Sequence, residues 1–142
     1  MTIGAIHHVA VVVRSIDESL PRYRALFGWE PEDDPFDFPR QAVRLCFLSS
    51  GMGGARIELV QPVDEESGVA RFLASHGEGV HHVCLESSDL AADLHALAAA
   101  EAELIDSEPR SGAHGRVAFI HPRTLNGVLW ELVEQLEYED HA

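Results

Sequence analysis

The sequence of 142 residues contains no lysine: all 10 basic side chains are arginines, and they stand against 24 acidic residues for a formal net charge of -14. A chain with this negative charge repels the phosphate backbone of nucleic acids and the anionic surface of membranes. We therefore expect neither nucleic acids nor membranes as partners. A small anionic substrate stays compatible with this charge, because a local group of arginines or a bound metal overrides the more distant field.

Long apolar runs and cysteines are also scarce. The longest apolar run near the N-terminus is Val9–Val13, which is too short for a membrane span or for the apolar part of a secretion signal, so we expect a cytoplasmic protein. Cys46 and Cys84 both lie in apolar, strand-like segments, which favours buried thiols over a disulfide. With 46% hydrophobic residues, a chain of this length has enough apolar material for one domain with a normal core.

What the sequence does contain is an internal repeat. The segment "HHVAVVVRSIDESL" aligns with "HHVCLESSDLAADL" when His8 is placed over His82. Each copy predicts a short strand, a helix N-cap and then a helix, which ends at Gly28 in the first copy and follows the alanine-rich run to Ala102 in the second. The candidate N-caps are Ser15 or Asp17 in the first copy and Ser88 or Asp89 in the second.

Further strands follow the helix in each copy, so that each reads β-α-β-β. The predicted strands are Val43–Leu48, Arg56–Val60, Arg116–His121 and Val128–Val133, with weak extra strands near 29–32 and 104–107. We therefore expect one domain over 1–142, with module 1 at about 5–62, a linking helix at about 64–76 and module 2 at about 79–135. Neither half alone has enough apolar material for a sufficient core, so the two sheets are expected to pair and close around a shared cleft.

One histidine and one glutamate recur at matching places in the two modules. Glu58 and Glu131 stand in the middle of the apolar strands "RIELV" and "LWELV", where burying an unpartnered charge costs several kcal/mol. His8 precedes Glu58 by 50 residues, and His82 precedes Glu131 by 49. If the modules pack about a pseudo-two-fold axis, these four side chains converge, and two imidazoles with two carboxylates suit a divalent transition metal.

The neighbouring histidines supply the main alternative. Because side chains alternate along a strand, His7 and His81 face away from His8 and His82, and we expect them to support the ligands or the other sheet face. A shift of one residue in the register would make His7 and His81 the ligands instead. A single histidine or glutamate on a strand is more often structural or solvent-facing, and it is the repetition of both that favours a metal site.

At these residues the sequence resembles the vicinal oxygen chelate superfamily, which includes glyoxalase I, extradiol dioxygenases and the fosfomycin- and bleomycin-resistance proteins. The resemblance covers Ile6–Gln135; "IHHVAVVV" and "NGVLWELVEQ" are general to the superfamily, whereas "DEESGVARFL", "VHHVCLE" and "GAHG" are most similar to the methylmalonyl-CoA epimerases. It implies an α+β fold of two paired βαβββ modules, commonly a homodimer. It also implies a divalent metal (cobalt, nickel, manganese, zinc or iron) held by His8, Glu58, His82 and Glu131.

The resemblance further implies an enzyme, an isomerase that epimerises methylmalonyl-CoA or a similar 2-substituted acyl-CoA through an enolate. Epimerisation needs a group on each face of the reacting carbon, and we assign these roles to Glu131 and Glu58. Some epimerases have a second glutamate base on the central strand, at the position that we align with Arg44; an arginine cannot act as a base near neutral pH. Arg44, His114 and Arg116 are instead the candidate contacts to an acyl-CoA substrate.

Other members of the superfamily give the rival functions. Glyoxalase I has a similar His/Glu/His/Glu set, so a lactoylglutathione lyase is the alternative enzyme. An extradiol dioxygenase needs two histidines, one carboxylate and open positions, and four apparent ligands argue against it. A metal-free drug-binding protein would not need the ligands, whereas a protein that only binds a molecule at its metal stays compatible with the sequence.

Overall fold

A computed structural model of the protein describes residues 2–135. Within these residues the fold is α+β, with a mixed arrangement of strands, three α-helices and one short 3₁₀ helix. Contacts within the chain divide it into two units: one is His8–His82, and the other joins the segment up to His7 with the chain from Val83 onward. The two strands Ile3–Val12 and Gly79–Ser87 each continue from one unit into the other.

The His8–His82 unit is built on four neighbouring strands. Its elements in chain order are β1 (Ile3–Val12), α1 (Ile16–Phe27), β2 (Glu30–Pro31), β3 (Phe36–Phe38), the 3₁₀ helix (Pro39–Gln41), β4 (Val43–Ser49), β5 (Arg56–Pro62), α2 (Gly68–His76) and β6 (Gly79–Ser87). The strand order is β2-β4-β5-β1. β4 runs antiparallel to β5, and β5 runs parallel to β1, so the strand that carries Glu58 lies beside the strand that carries His8.

Helix α1 has the ends that the sequence predicts. The Ser15 side chain accepts a hydrogen bond from the Glu18 amide at 3.1 Å, and Gly28 ends the helix in the left-handed conformation with φ of 69°. The buried side of the helix packs on one face of the sheet. The core there consists of Val13, Ile16, Leu20, Cys46, Leu48 and Leu59.

Helix α2 begins later than the sequence predicts, at Gly68 rather than near residue 64. The Asp64 carboxylate accepts hydrogen bonds from the amides of Glu66 and Ser67, each at 2.9 Å, and so stabilises a bend before the helix. Ser67 then caps the helix by accepting from the Ala70 amide at 3.1 Å. Local side-chain to backbone bonds therefore displace the helix start, as is usual for aspartate and serine.

The second unit repeats the plan. It contains the latter part of β6, α3 (Leu90–Ala99), β7 (Arg110–Ser111), β8 (Arg116–Ile120) and β9 (Trp130–Glu134), in the strand order β6-β9-β8-β7. β6 runs parallel to β9, and β9 runs antiparallel to β8. Helix α3 ends at Ala99, before the predicted Ala102, and the predicted strand near 104–107 is a single bridge between Leu104 and Ile120.

Asp93 is a charged residue inside this second unit, with 1% of its surface exposed. Burial alone would raise the pKa of the Asp93 carboxyl, but hydrogen bonds from the Ser87 hydroxyl and from the Thr2 amide and hydroxyl overcome burial and hold that pKa below its usual value. The three bonds are 2.6–2.8 Å long. The carboxylate thus fastens the start of β1 to helix α3.

Asp93→Asn is expected to lower the free energy of unfolding by about 1–3 kcal/mol at neutral pH, because an amide cannot accept all three bonds and leaves donors unsatisfied. The lowered pKa means that the stabilisation is present above the unfolded value of about 3.9 and is lost as the pH falls through the lower folded value. Urea unfolding at pH 7 and pH 3 should therefore show a larger difference in the free energy of unfolding between wild type and variant at pH 7 than at pH 3. Asp34→Asn, at an exposed aspartate, is the matched control.

No helix within residues 2–135 is both long and apolar enough to cross a membrane. Cys46 and Cys84 are buried and form no disulfide within the described part of the chain, which confirms the prediction of buried thiols.

Candidate functional site

Two histidines and one glutamate of the His8–His82 unit meet below its surface. The Nε2 atoms of His8 and His82 lie 3.3 Å apart. The Glu58 Oε1 atom lies 3.7 Å from Nε2 of His8 and 3.8 Å from Nε2 of His82. The three residues are only 4%, 6% and 7% exposed in chain order, so the structure brings together, out of bulk water, three of the four side chains that the sequence singles out.

The strands fix these side chains on the sheet face opposite α1. The apolar side chains of Cys46, Leu48 and Leu59 point to α1, and period-two alternation therefore turns Phe47 and Glu58 to the other face. Phe47 is the Cα partner of Glu58 across β4 and β5, and its ring meets the His8 ring edge-on at 5.3 Å between centroids. The Phe47 ring thus limits the orientations that the His8 ring can adopt.

The chemistry and spacing of the three donor atoms suit one divalent ion. Zinc binds histidine nitrogen and carboxylate oxygen at about 2.0–2.2 Å, so adjacent donor atoms around such an ion lie roughly 3–3.5 Å apart. The observed separations of 3.3, 3.7 and 3.8 Å come close to this range, and small rotations of the Glu58 side chain would close the difference. Histidine nitrogen together with carboxylate oxygen is a donor set for zinc, cobalt, nickel, manganese or iron.

Glu131 occupies the corresponding strand of the other unit and is 7% exposed. Its Cα partners are Cys84 on β6 and Phe119 on β8. Leu132, the next residue in the strand, packs in the core cluster under α3, so Glu131 points to the face opposite that helix. Glu131 is thus a buried carboxylate in an apolar strand, as the sequence indicates.

Each unit carries the same arrangement around its strand glutamate. Glu58 stands opposite Phe47, and the Arg56 guanidinium lies over that ring at 4.7 Å from the centroid. Glu131 stands opposite Phe119, and the Arg110 guanidinium lies over that ring at 5.3 Å. Neither phenylalanine is predicted from the sequence, because the offset of 74 residues that aligns His8 with His82 places Phe47 over His121, and a shift of two residues is needed to pair it with Phe119.

Arg44 lies away from the histidines. It alternates with Cys46 and Leu48 on the face that packs against α1, and its Nη1 atom is 3.4 Å from an Asp17 carboxylate oxygen on that helix. The neighbouring Leu45 and Phe47 occupy the face toward His8 instead, so Leu45, rather than Arg44, is the β4 position that corresponds to a base on that face. The assignment of Arg44 as a substrate contact stays a prediction.

Arg116 and His114 are both exposed. The Arg116 Nη2 atom donates to Glu134 Oε1 at 2.9 Å, and the other Glu134 oxygen accepts from the Leu90 amide at the start of α3. The Leu90 amide first, and then Arg116, hold the pKa of the Glu134 carboxyl below its usual value, so Arg116 belongs to the helix side of its strand. His114 lies in the turn between β7 and β8, and the roles of both residues toward substrate stay predictions.

His7 and His81, the alternative ligands, have other neighbours. Nε2 of His7 lies 2.9 Å from the side-chain nitrogen of Gln135. Nδ1 of His81 lies 2.9 Å from Nδ1 of His82. The register of the strands therefore gives His8 and His82, rather than the residues before them, to the cluster with Glu58.

Comparisons with known proteins extend over most of the chain. A family model described as "Glyoxalase/Bleomycin resistance protein/Dioxygenase superfamily" matches residues 7–119. The ethylmalonyl-CoA/methylmalonyl-CoA epimerase of Cereibacter sphaeroides is 38% identical over 133 residues, which cover 92% of this chain and 97% of that protein.

Solved structures of epimerases are also similar over most of the chain. The methylmalonyl-CoA epimerase from Mycobacterium tuberculosis matches with a TM-score of 0.89 and 30% identity, over 95% of this chain and 90% of that one. A Streptomyces coelicolor methylmalonyl-CoA epimerase variant in complex with 2-nitronate-propionyl-CoA matches with a TM-score of 0.85 and 33% identity, over 94% and 98% of the two chains. At these identities the likeness covers sequence as well as fold.

Proposed function

The chain belongs to the glyoxalase/bleomycin resistance protein/dioxygenase superfamily, and we propose that within it the protein is a metal-dependent epimerase of methylmalonyl-CoA or a similar 2-substituted acyl-CoA. The observation that carries this proposal is the buried cluster of His8, Glu58 and His82. It lies in a chain that covers 80% and 97% of the length of two relatives named as epimerases of this kind. The match to a structure in complex with 2-nitronate-propionyl-CoA supports an acyl-CoA thioester as the substrate class.

Glu131 is proposed as the fourth ligand because β6 and β9 pair in the same register as β1 and β5. Glu58 is the Cα partner of Ala10, two residues beyond His8 on the parallel strand. Glu131 is the Cα partner of Cys84, two residues beyond His82 on the parallel strand. The register that lets Glu58 reach His8 thus recurs for Glu131 and His82. A divalent ion held by the four side chains would act as a Lewis acid on the thioester carbonyl and stabilise the enolate.

The chain's own part in the reaction is to move one proton. The hydrogen on the carbon between the thioester and the carboxylate is weakly acidic, and inversion needs it to be removed from one face and returned to the other. We assign Glu131 to one face and Glu58 to the other, since each is a buried carboxylate that can accept a proton and give it back. Burial of the cluster excludes water, which would otherwise compete in returning the proton.

The proposal is tested by incubating protein reconstituted with Co²⁺ and methylmalonyl-CoA in D₂O. We expect deuterium to enter the α-position of both the (2R) and the (2S) form and the two forms to converge to an equal mixture, as followed by mass spectrometry and chiral analysis. Removal of the ion with a chelator should abolish the activity, and adding Co²⁺ back should restore it. Turnover of the glutathione–methylglyoxal adduct without exchange would instead assign the protein to the lactoylglutathione lyases.

The oligomeric state and the cellular location of the protein stay predictions. A homodimer is expected from the resemblance, and analytical ultracentrifugation tests it. A cytoplasmic location is expected from the sequence, and cell fractionation tests it.

A further inference from the structure

A hydrogen bond between neighbouring histidines stands behind the proposed metal site. Nδ1 of His82 lies 2.9 Å from Nδ1 of His81, while Nε2 of His82 faces His8 and Glu58. The His82 ring is therefore held at both of its nitrogens, one in the cluster and one by the residue before it. We infer that His81 is a positioning residue that fixes the tautomer and the ring orientation of His82 for metal binding, an inference that rests on the metal site proposed above.

Counting protons determines what each nitrogen does. A neutral imidazole carries one N–H and one lone pair, and a metal ligand needs its lone pair on the nitrogen that faces the ion. If Nε2 of His82 is that nitrogen, the proton is on Nδ1 of His82, which donates to Nδ1 of His81. His81 must then carry its own proton on Nε2. The hydrogen bond thus selects one of the two His82 tautomers, which is the way metal-binding histidines are commonly tuned.

Helix α2 holds His81 in place. The Phe72 ring meets the His81 ring edge-on at 4.9 Å between centroids, with an interplanar angle of 76°. On its other side Phe72 stacks against His76 at 4.6 Å and 13°. Nδ1 of His76 lies 2.8 Å from the Ser75 hydroxyl oxygen. The helix that links the two repeats therefore does more than connect them, because its last turns brace His81, which in turn orients His82.

The test compares Co²⁺ binding by metal-free wild type with three variants at position 81, followed by the visible absorption of the bound ion. His81→Leu removes the acceptor and should weaken binding by about 10- to 100-fold, the usual effect of losing a partner of a metal-binding histidine. His81→Asn places an amide oxygen near the position of Nδ1 and should stay within about threefold of wild type. His81→Gln is equally polar but carries its amide one carbon further out, and should weaken binding as His81→Leu does.

His95→Leu, at an exposed histidine of α3, controls for ions bound at the surface and should leave the affinity unchanged. Thermal unfolding of the metal-free proteins identifies a variant that has lost its fold. The difference in Co²⁺ affinity between His81→Asn and His81→Gln then decides whether the acceptor position at residue 81 matters. Wild-type affinity and absorption in His81→Leu and His81→Gln would overturn the role of His81 alone. A wild-type protein that binds no Co²⁺ would overturn the proposed metal site, and the role of His81 with it.

Discussion

Glu131→Gln is expected to slow the interconversion of (2R)- and (2S)-methylmalonyl-CoA by about 10²- to 10⁴-fold, the range that a positioned acid–base group contributes. Glutamine has nearly the same shape and keeps an oxygen that can contact an ion, but it cannot take up a proton. Glu131 is buried in an apolar strand, so we expect no group from solvent to take over its proton transfer in the variant. The measurement is the initial rate in each direction at saturating Co²⁺, with the bound metal determined by elemental analysis.

The exchange pattern separates a lost base from a damaged site. If Glu131 serves one face only, the variant should still exchange the α-hydrogen of the epimer that Glu58 deprotonates, while it fails to invert it. Glu86→Gln, at an exposed glutamate of β6, is the matched control and should behave as wild type. Inversion by Glu131→Gln at the wild-type rate with full metal content would refute the role of Glu131 as a base.

Glu58→Gln is expected to produce the mirror image: loss of inversion, with exchange retained for the other epimer. The physical reason is the same, since Glu58 is the second buried carboxylate, beside His8 and His82. Removing a carboxylate also leaves about one more positive charge at the site, which favours the enolate and works against the loss of the base. The selectivity of exchange, rather than the rate alone, therefore decides the assignment.

Two results would contradict the assignment of Glu58. One is full activity of Glu58→Gln in both directions. The other is loss of exchange for the same epimer in Glu58→Gln and Glu131→Gln, which would mean that a single base serves both faces. Co²⁺ affinity of Glu58→Gln, measured in parallel, reports whether the amide still serves as an oxygen ligand.

The sequence predicts those parts of the fold that local chemistry determines. Helix α1 lies between Ser15 and Gly28 as expected, because a capping hydroxyl and a glycine in the left-handed conformation act within a few residues. Strand alternation likewise assigns His8 and Glu58 to one face of the sheet, where the structure has them within 3.7 Å. The α+β class follows from the order of these elements.

Other features depend on contacts that no local pattern encodes. The short strand β3, Phe36–Phe38, was missed because three residues between prolines carry too little periodicity, and it is its pairing with β4 that makes it a strand. The position of Arg44 on the α1 side of β4 is another example, because only packing against α1 reveals which side of β4 faces the histidines. The hydrogen bond between His81 and His82 joins neighbours in sequence. The sequence does not predict it, because it forms only when both rings have the orientations that tertiary contacts give them.

The division of the chain into two units has a consequence for its synthesis. The His8–His82 unit is one continuous segment, so all of its residues are synthesised before the second half of the chain, and its contacts can form first. The other unit is discontinuous: Ile3–His7 is translated before the His8–His82 unit but belongs with residues 83–135. These first residues of β1 must wait for α3, whose Asp93 holds Thr2, so Ile3–His7 is fixed in place only after α3 has been made.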